Sequence, residues 1–227
     1  MSDPSSLIAV IIFGLIFFFL VVGNRAPKGK HRPSKKAHAK PNRQRQAKPD
    51  KLREYSANSW YSAKKGQFGE WIVIEEIKAS LPKDDYYLMN DITLELGRGT
   101  TQIDHILISV YGVFVIETKH MAGWIFGNPR QKFWTQVFPT SKYRFLNPLR
   151  QNRIHIDALR KVTGFPGHYF VPLVVFTAQC ELKTEMPENV LYRLDLIDYI
   201  NEFDTPYMSR QEAREIAEIL IDNAIAD

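Results

Sequence analysis

Asp104, Glu117 and Lys119 stand within the stretch TQIDHILISVYGVFVIETK, from Thr101 to Lys119, and their types and spacing suit metal or acid–base chemistry. Glu117 and Lys119 are two residues apart, so in a strand they project from the same face. Both lie at the end of an apolar run, Val113 to Ile116, and Asp104 interrupts another, Ile103 to Ile108. An ionised carboxylate in a sheet core is costly unless positive charge meets it. Either the lysine two residues away or a metal ion supplies that charge. Two or three carboxylates suit a hard divalent cation, Mg²⁺ or Mn²⁺. Such an ion lowers the pKa of bound water and neutralises a phosphate oxygen, while Lys119 steers or deprotonates the attacking water.

A further carboxylate is expected from the segment Gly66 to Leu81, GQFGEWIVIEEIKASL, which reads as a helix stopped by Pro82. At about 100° per residue, Val73, Ile74, Ile77 and Leu81 fall within about 60° of Glu70. Glu70 therefore sits in the middle of the apolar face, while Glu75 and Glu76 point to solvent. The bland alternative is a Glu70 that caps backbone groups near the helix start.

Around these residues the chain reads as alternating elements. Tyr86 to Leu96 is a strand turned back by Gly97-Arg98-Gly99 into the Thr101 strand, and a turn at Ser109 to Gly112 leads to the next. His120 to Gly127 and Lys132 to Phe138 form a further hairpin, in which Trp124, Phe133 and Trp134 read most simply as packing residues, with base stacking as the alternative. Asn147-Pro148 opens a helix that ends at Gly164, with Leu149, Asn152, His155, Ile156, Leu159 and Val162 facing inward. Its other side carries Arg150, Arg153, Arg160 and Lys161, either a phosphate-contacting stripe or a solvated face. Tyr169 to Thr177 is a strand in which Pro172 argues for an edge or bulge. Val190 to Asp195, a turn of helix at Ile197 to Phe203 and a helix capped by Ser209 and Glu212 complete the chain. That last helix carries Ile216, Ala217, Leu220, Ile221 and Ala224 on its packing face. The sum is an α/β domain with a mixed central sheet flanked by helices.

The spacing D-x12-E-T-K resembles the pattern of the PD-(D/E)xK nuclease superfamily, at Asp104, Glu117 and Lys119. More narrowly, GQFGE at Gly66 to Glu70, QIDHILIS with GVFVIETK, the Gly123 to Gly127 segment, WTQ at Trp134 to Gln136 and NPLRQN at Asn147 to Asn152 resemble the nuclease-related domain (NERD) family. The resemblance spans residues 62 to 177. It implies a restriction-endonuclease-like fold, metal-dependent phosphodiester hydrolysis, and Glu70, Asp104, Glu117 and Lys119 as the catalytic set, with Glu70, Asp104 and Glu117 toward the metal. Gln136, Gln151 and Asn152 match family positions in a supporting, substrate-binding role, to which Arg150 and Arg153 are added from the cationic stripe. The expected function is a metal-dependent nuclease acting on nucleic acid, with DNA favoured; a non-catalytic module binding nucleic acid or nucleotide is the alternative. In a third reading the carboxylates simply pair with Lys119.

The whole chain has 227 residues and a formal charge of +5, but that average misleads. From Arg25 to Arg53 there are 12 Lys or Arg residues against one acid, Asp50, whereas from Tyr55 onward 18 Lys and Arg face 22 Asp and Glu. The basic character belongs to one stretch and says little about nucleic-acid binding by the rest. Cys180 is the single cysteine, so no intrachain disulfide forms, and there is no C-x-x-C or H-E-x-x-H zinc pattern. Leu7 to Val22 is an unbroken apolar run, and the uncharged stretch containing it spans roughly 31 Å as a helix, enough to cross a bilayer. A cleaved signal peptide fits less well, because no positive charge precedes the run and no small-x-small site comes after it. The basic flank keeps the remainder of the chain cytoplasmic and the N-terminus outside. The expected organisation is a transmembrane anchor at 1–24, a basic disordered linker at 25–61 that touches anionic headgroups, a nuclease-like domain at 62–178, and a C-terminal extension with a terminal helix at 179–227. The linker also offers non-specific contacts to phosphate.

Overall fold

A computed structural model describes residues 51–225. The expected anchor at Leu7 to Val22 and the linker up to Asp50 lie outside these residues. Among the described residues no helix is long and apolar enough to cross a membrane.

The first helix, α1, runs Lys51–Ser80 and so begins inside the stretch that composition assigned to the linker. Lys51 to Tyr61 contains no proline and includes Lys, Leu, Arg, Glu and Ala, which lose little rotamer freedom in a helix. At its other end Val73 and Ile77, with Leu81 just beyond, are buried. Glu76, expected in solvent, instead pairs with Arg193.

A five-stranded sheet has the order β1-β2-β3-β7-β9, formed by Tyr87–Glu95, Thr100–Ser109, Gly112–Lys119, Phe170–Phe176 and Val190–Tyr192. Its first three strands are an antiparallel meander; β7 and β9 then add in parallel. Parallel addition needs a crossover, and α2 (Pro148–Thr163) lies on the chain between β3 and β7. Both faces of the sheet are covered, which explains the near-continuous apolar runs of β2 and β3. On one face Ile106, Val113 and Val115 meet Ala158 and Leu159 of α2 and Ile216 and Leu220 of the last helix, α4 (Arg210–Asn223). On the other, Leu107, Phe114 and Ile116 meet Val73 and Ile77 of α1, and Leu196 and Ile200 of α3 (Leu196–Asn201).

The expected single mixed sheet is two mixed sheets. β4 (Gly123–Phe126), β5 (Phe133–Phe138), β6 (Ser141–Leu146) and β8 (Cys180–Leu182) form a second one, ordered β6-β5-β4-β8. β6 escaped the sequence reading because SKYRFL is mostly polar or exposed and offers little alternation. The second sheet packs Ile125 and Trp134 onto Val174 and Phe176 of the first. The segment after Ala178 is woven into both sheets, β8 beside β4 and β9 beside β7.

Pro172 is accommodated as its chemistry requires. β9 pairs only with Val174 to Phe176 of β7, so around Pro172 the strand has no β9 neighbour, and Asn189 donates Nδ2 to the Pro172 carbonyl at 3.0 Å. The caps of α2 also form as expected: Asn147 Oδ1 accepts from the Leu149 amide at 3.0 Å, and Gly164 takes φ 74° past the end. In α4 the Ser209–Glu212 capping box is present, but Ile221 is 65% exposed and stands off the packing face, where Ala213 is buried instead.

Candidate functional site

The site is created by a fork in the main sheet. β2 and β3 pair from Ser109–Gly112 as far as His105–Ile116, and their ladder stops there. Beyond that point β2 continues against β1 and β3 continues against β7. Asp104 and Glu117 are the first residues past the last rung. The Thr118 amide has no β2 carbonyl partner and donates instead to Asp104 Oδ2 at 2.7 Å. A cleft of about 700 Å³ opens here, lined by Glu70, Gln102, Asp104, Glu117, Lys119 and Gln136 among others. The four residues expected to be catalytic thus share one cavity. Glu70 reaches it from α1, which Gly69 lets settle against the sheet. A Cβ at Gly69 would stand 2.6 Å from His120 Cβ and 2.8 Å from Thr177 Oγ1.

Glu117 is buried and held on both oxygens. Lys119 Nζ donates to Oε1, and His155 Nε2 lies 2.8 Å from Oε2. A carboxylate only accepts, so Nε2 carries a proton and donates. On its far side His155 Nδ1 meets the Thr101 hydroxyl at 2.8 Å. Burial would raise the pKa of Glu117, but the His155 hydrogen bond and the Lys119 ammonium outweigh it and hold the carboxyl below its ordinary range.

Asp104 goes the other way. Burial, then the neighbouring Glu117 charge, push it up to about 7, against the Thr118 hydrogen bond and Lys119. Glu70 is raised as well, first by burial and then by Asp91 and Glu117. Asp91 adopts φ 53° within β1, a conformation uncommon outside glycine, at the rung that would face Asp104. These carboxylates are short of positive charge. Their oxygens are the hard donors a divalent cation prefers, and Mg²⁺ needs only one or two carboxylates beside its waters. The residues therefore fit such an ion, although among the described residues no three His, Cys, Asp or Glu side chains form a ready coordinating group.

The supporting residues separate. Gln136 and Gln151 line the cleft, and Gln136 Nε2 donates to the Ala122 carbonyl at 2.7 Å. Asn152 does not face a substrate: it is fully buried, and its Nδ2 donates to the Val115 and Leu173 carbonyls at 2.7 Å each, pinning α2 to β3 and β7. Arg150 and Arg153 are exposed outside the cleft, Arg150 reaching the Arg130 carbonyl at 3.3 Å. Sequence reasoning placed His155 on an inner helix face but gave it no partner, and it passed over Gln102, Asp91 and the Thr101 hydroxyl. The side-chain contacts of these residues bridge 11 to 54 positions in the chain, which no local pattern marks.

An α/β domain whose sheet forks around an Asp, a Glu and a Lys, with a helical Glu closing the cavity, defines a nuclease-related class of protein. The chain belongs to the nuclease-related domain (NERD) family, whose profile matches residues 65–177. An uncharacterized protein of Bacillus anthracis is 34% identical over 170 residues, covering 72% of this chain and 78% of that relative. No solved structure matches.

Proposed function

We propose that this protein is a membrane-anchored, metal-dependent nuclease that hydrolyses phosphodiester bonds in nucleic acid, with DNA as the favoured substrate, on a restriction-endonuclease-like fold. One observation carries the reading: Asp104, Glu117, Lys119 and Glu70, drawn from two strands and a helix, line a single cleft in which Asp104 and Glu70 are pushed upward by burial and by neighbouring carboxylates. Asp104 and Glu117, with Glu70, would hold Mg²⁺ or Mn²⁺. The ion would supply charge neutralisation at a phosphate oxygen and a more acidic water. Lys119 Nζ, fixed by Glu117 Oε1, orients the attacking water and takes up or passes on its proton. His155 keeps Glu117 ionised and aimed. Gln136 and Gln151 offer amide contacts to the substrate. The anchor rests on the apolar run Leu7 to Val22, with the basic residues after it against anionic headgroups on the cytoplasmic side.

The test is incubation of the full chain, in detergent micelles, with plasmid, linear and single-stranded DNA and with RNA, with and without Mg²⁺ or Mn²⁺. Metal-dependent cleavage is expected, and it should be lost in Asp104→Asn and Lys119→Met with folding retained. Absence of cleavage on every substrate rejects the reading. A second reading, a binding module without turnover, draws on the fact that both Glu117 oxygens already have protein donors. It requires that binding proceed equally well in chelator and that no product form.

A further inference from the structure

The elements that line the cleft carry aromatic rings that the fold does not use for its cores. On α1, Phe68 and Trp71 flank Glu70 and are 51% and 54% exposed, with centroids 5.9 Å apart and planes 28° from parallel. Phe68 also meets the edge of His120 at 5.5 Å, and His120 lines the cleft. On the other wall Phe138 lines the cleft and stands edge-to-face with Tyr143 at 6.3 Å; Tyr143 is 57% exposed. None of these four rings belongs to the three hydrophobic clusters.

The charge of the second sheet and the start of α2 differs from that of the rest of the domain. Between Glu117 and Asp157 there is no Asp or Glu, whereas Lys132, Lys142, Arg144, Arg150 and Arg153 are all exposed. The net acidity of the globular part is thus carried elsewhere. Lys132 and Arg144 lie over the Phe133 ring, and the register of β5 with β6 puts Lys142 and Arg144 on the face of the second sheet opposite Gln136 and Tyr143.

We propose that the cleft takes nucleic acid as a single strand or unpaired end, with bases stacking on the Phe68–Trp71 and Phe138–Tyr143 pairs beside it and the exposed cations of the second sheet and α2, outside the cleft, drawing the polyanion toward it. This deepens, and rests on, the reading of the cleft as a nucleic-acid site. In an intact duplex the base faces already stack on one another, so exposed rings beside the cleft would have nothing to meet. Unpaired bases offer free faces to such rings, whatever their sequence. A bilayer is a poorer fit, because the rings are divided between α1 and the second sheet, two elements that line one cleft, and are not gathered on a single element. Gln102, Gln136 and Gln151 add amide groups able to meet base edges.

The experiment measures binding of the full chain in detergent micelles to one labelled oligonucleotide, offered as a single strand and annealed to its complement, in EDTA. The single strand should bind at least about tenfold tighter and quench part of the Trp fluorescence, a part missing in Trp71→Phe. Trp71→Ala and Tyr143→Ala should each weaken single-strand binding by on the order of 10- to 100-fold, the effect of losing one stacked base. Both rings are exposed, so circular dichroism should show intact folding. Equal or tighter binding of duplex, or unchanged single-strand affinity in both variants, overturns the inference. Binding to anionic lipid vesicles with none to the oligonucleotide also overturns it. Strand binding without cleavage after Mg²⁺ is restored removes the nuclease reading alone; cleavage without strand preference removes this inference alone.

Discussion

At the scale of single residues, the site is a contest between burial and partners. His155 gives Glu117 one of its two donors, so His155→Ala leaves a buried carboxylate oxygen short of a hydrogen bond. A loss of about 1–3 kcal/mol is expected, read as a lower denaturant midpoint; an unchanged midpoint would show that Glu117 does not depend on it. Asp104 and His105 make opposite predictions for pH. Asp104 keeps its proton to about 7 when folded against an ordinary 3.8, so across that window the folded state binds more protons and the Asp104 contribution falls as pH rises. His105 is pushed down to about 4 from 6.5, chiefly by burial, so its contribution is present above pH 6.5 and is lost as pH falls toward 4. The two oppose each other in the overlap. Asp104→Asn should therefore uncover a steeper loss of stability on acidification than wild type shows, measured by urea denaturation at a series of pH values.

At the scale of elements, one contact sets how closely α1 approaches the sheet. Gly69→Ala would gain helix propensity on an isolated helix, yet here the new methyl meets His120 and Thr177 well inside contact distance. The clash should prevail by about 1–3 kcal/mol, lowering thermal stability and moving Glu70 away from the cleft. An unchanged or raised Tm would mean that α1 slides freely. These elements were legible to different degrees in the sequence. β2, β3 and the caps of α2 and α4 announced themselves because alternation, apolar runs and capping residues act within a few positions. Asp104, Glu117, Lys119 and Glu70 were legible because each charge sits in apolar company. The second sheet was not, because β6 has no clean alternation and β8 is three residues long. The buried role of Asn152 was hidden too, since its acceptors lie 21 and 37 positions away.

At the scale of the whole molecule, charge is unevenly distributed, with a basic stretch from Arg25 to Arg53 and an excess of acids from Tyr55 onward. If Asp104 and Glu117 hold a divalent ion, saturating Mn²⁺ should stabilise the folded chain by about 2.7 kcal/mol at a hundredfold excess over Kd. The rise in Tm should vanish in Asp104→Asn and in Glu117→Gln. A Tm indifferent to metal would favour carboxylates that serve only to pair with Lys119. The basic stretch makes a separate prediction: neutralising the basic residues between Arg25 and Arg53 should weaken adhesion to anionic vesicles by about 1 kcal/mol per residue near the surface, without changing the metal response. Equal adhesion after neutralisation would assign vesicle binding to another part of the chain.

The fork in the sheet also has a meaning in amide-exchange terms. The Thr118 N–H is protected by a carboxylate side chain where its neighbours on β3 rely on a ladder. Its exchange rate is thus wired to one residue. Asp104→Ala should release that single proton while Ile116 stays protected, and ligation of Asp104 by an ion should alter it with the rest of β3 unmoved. One backbone proton would then report, in the folded chain and without any substrate, on the state of the site.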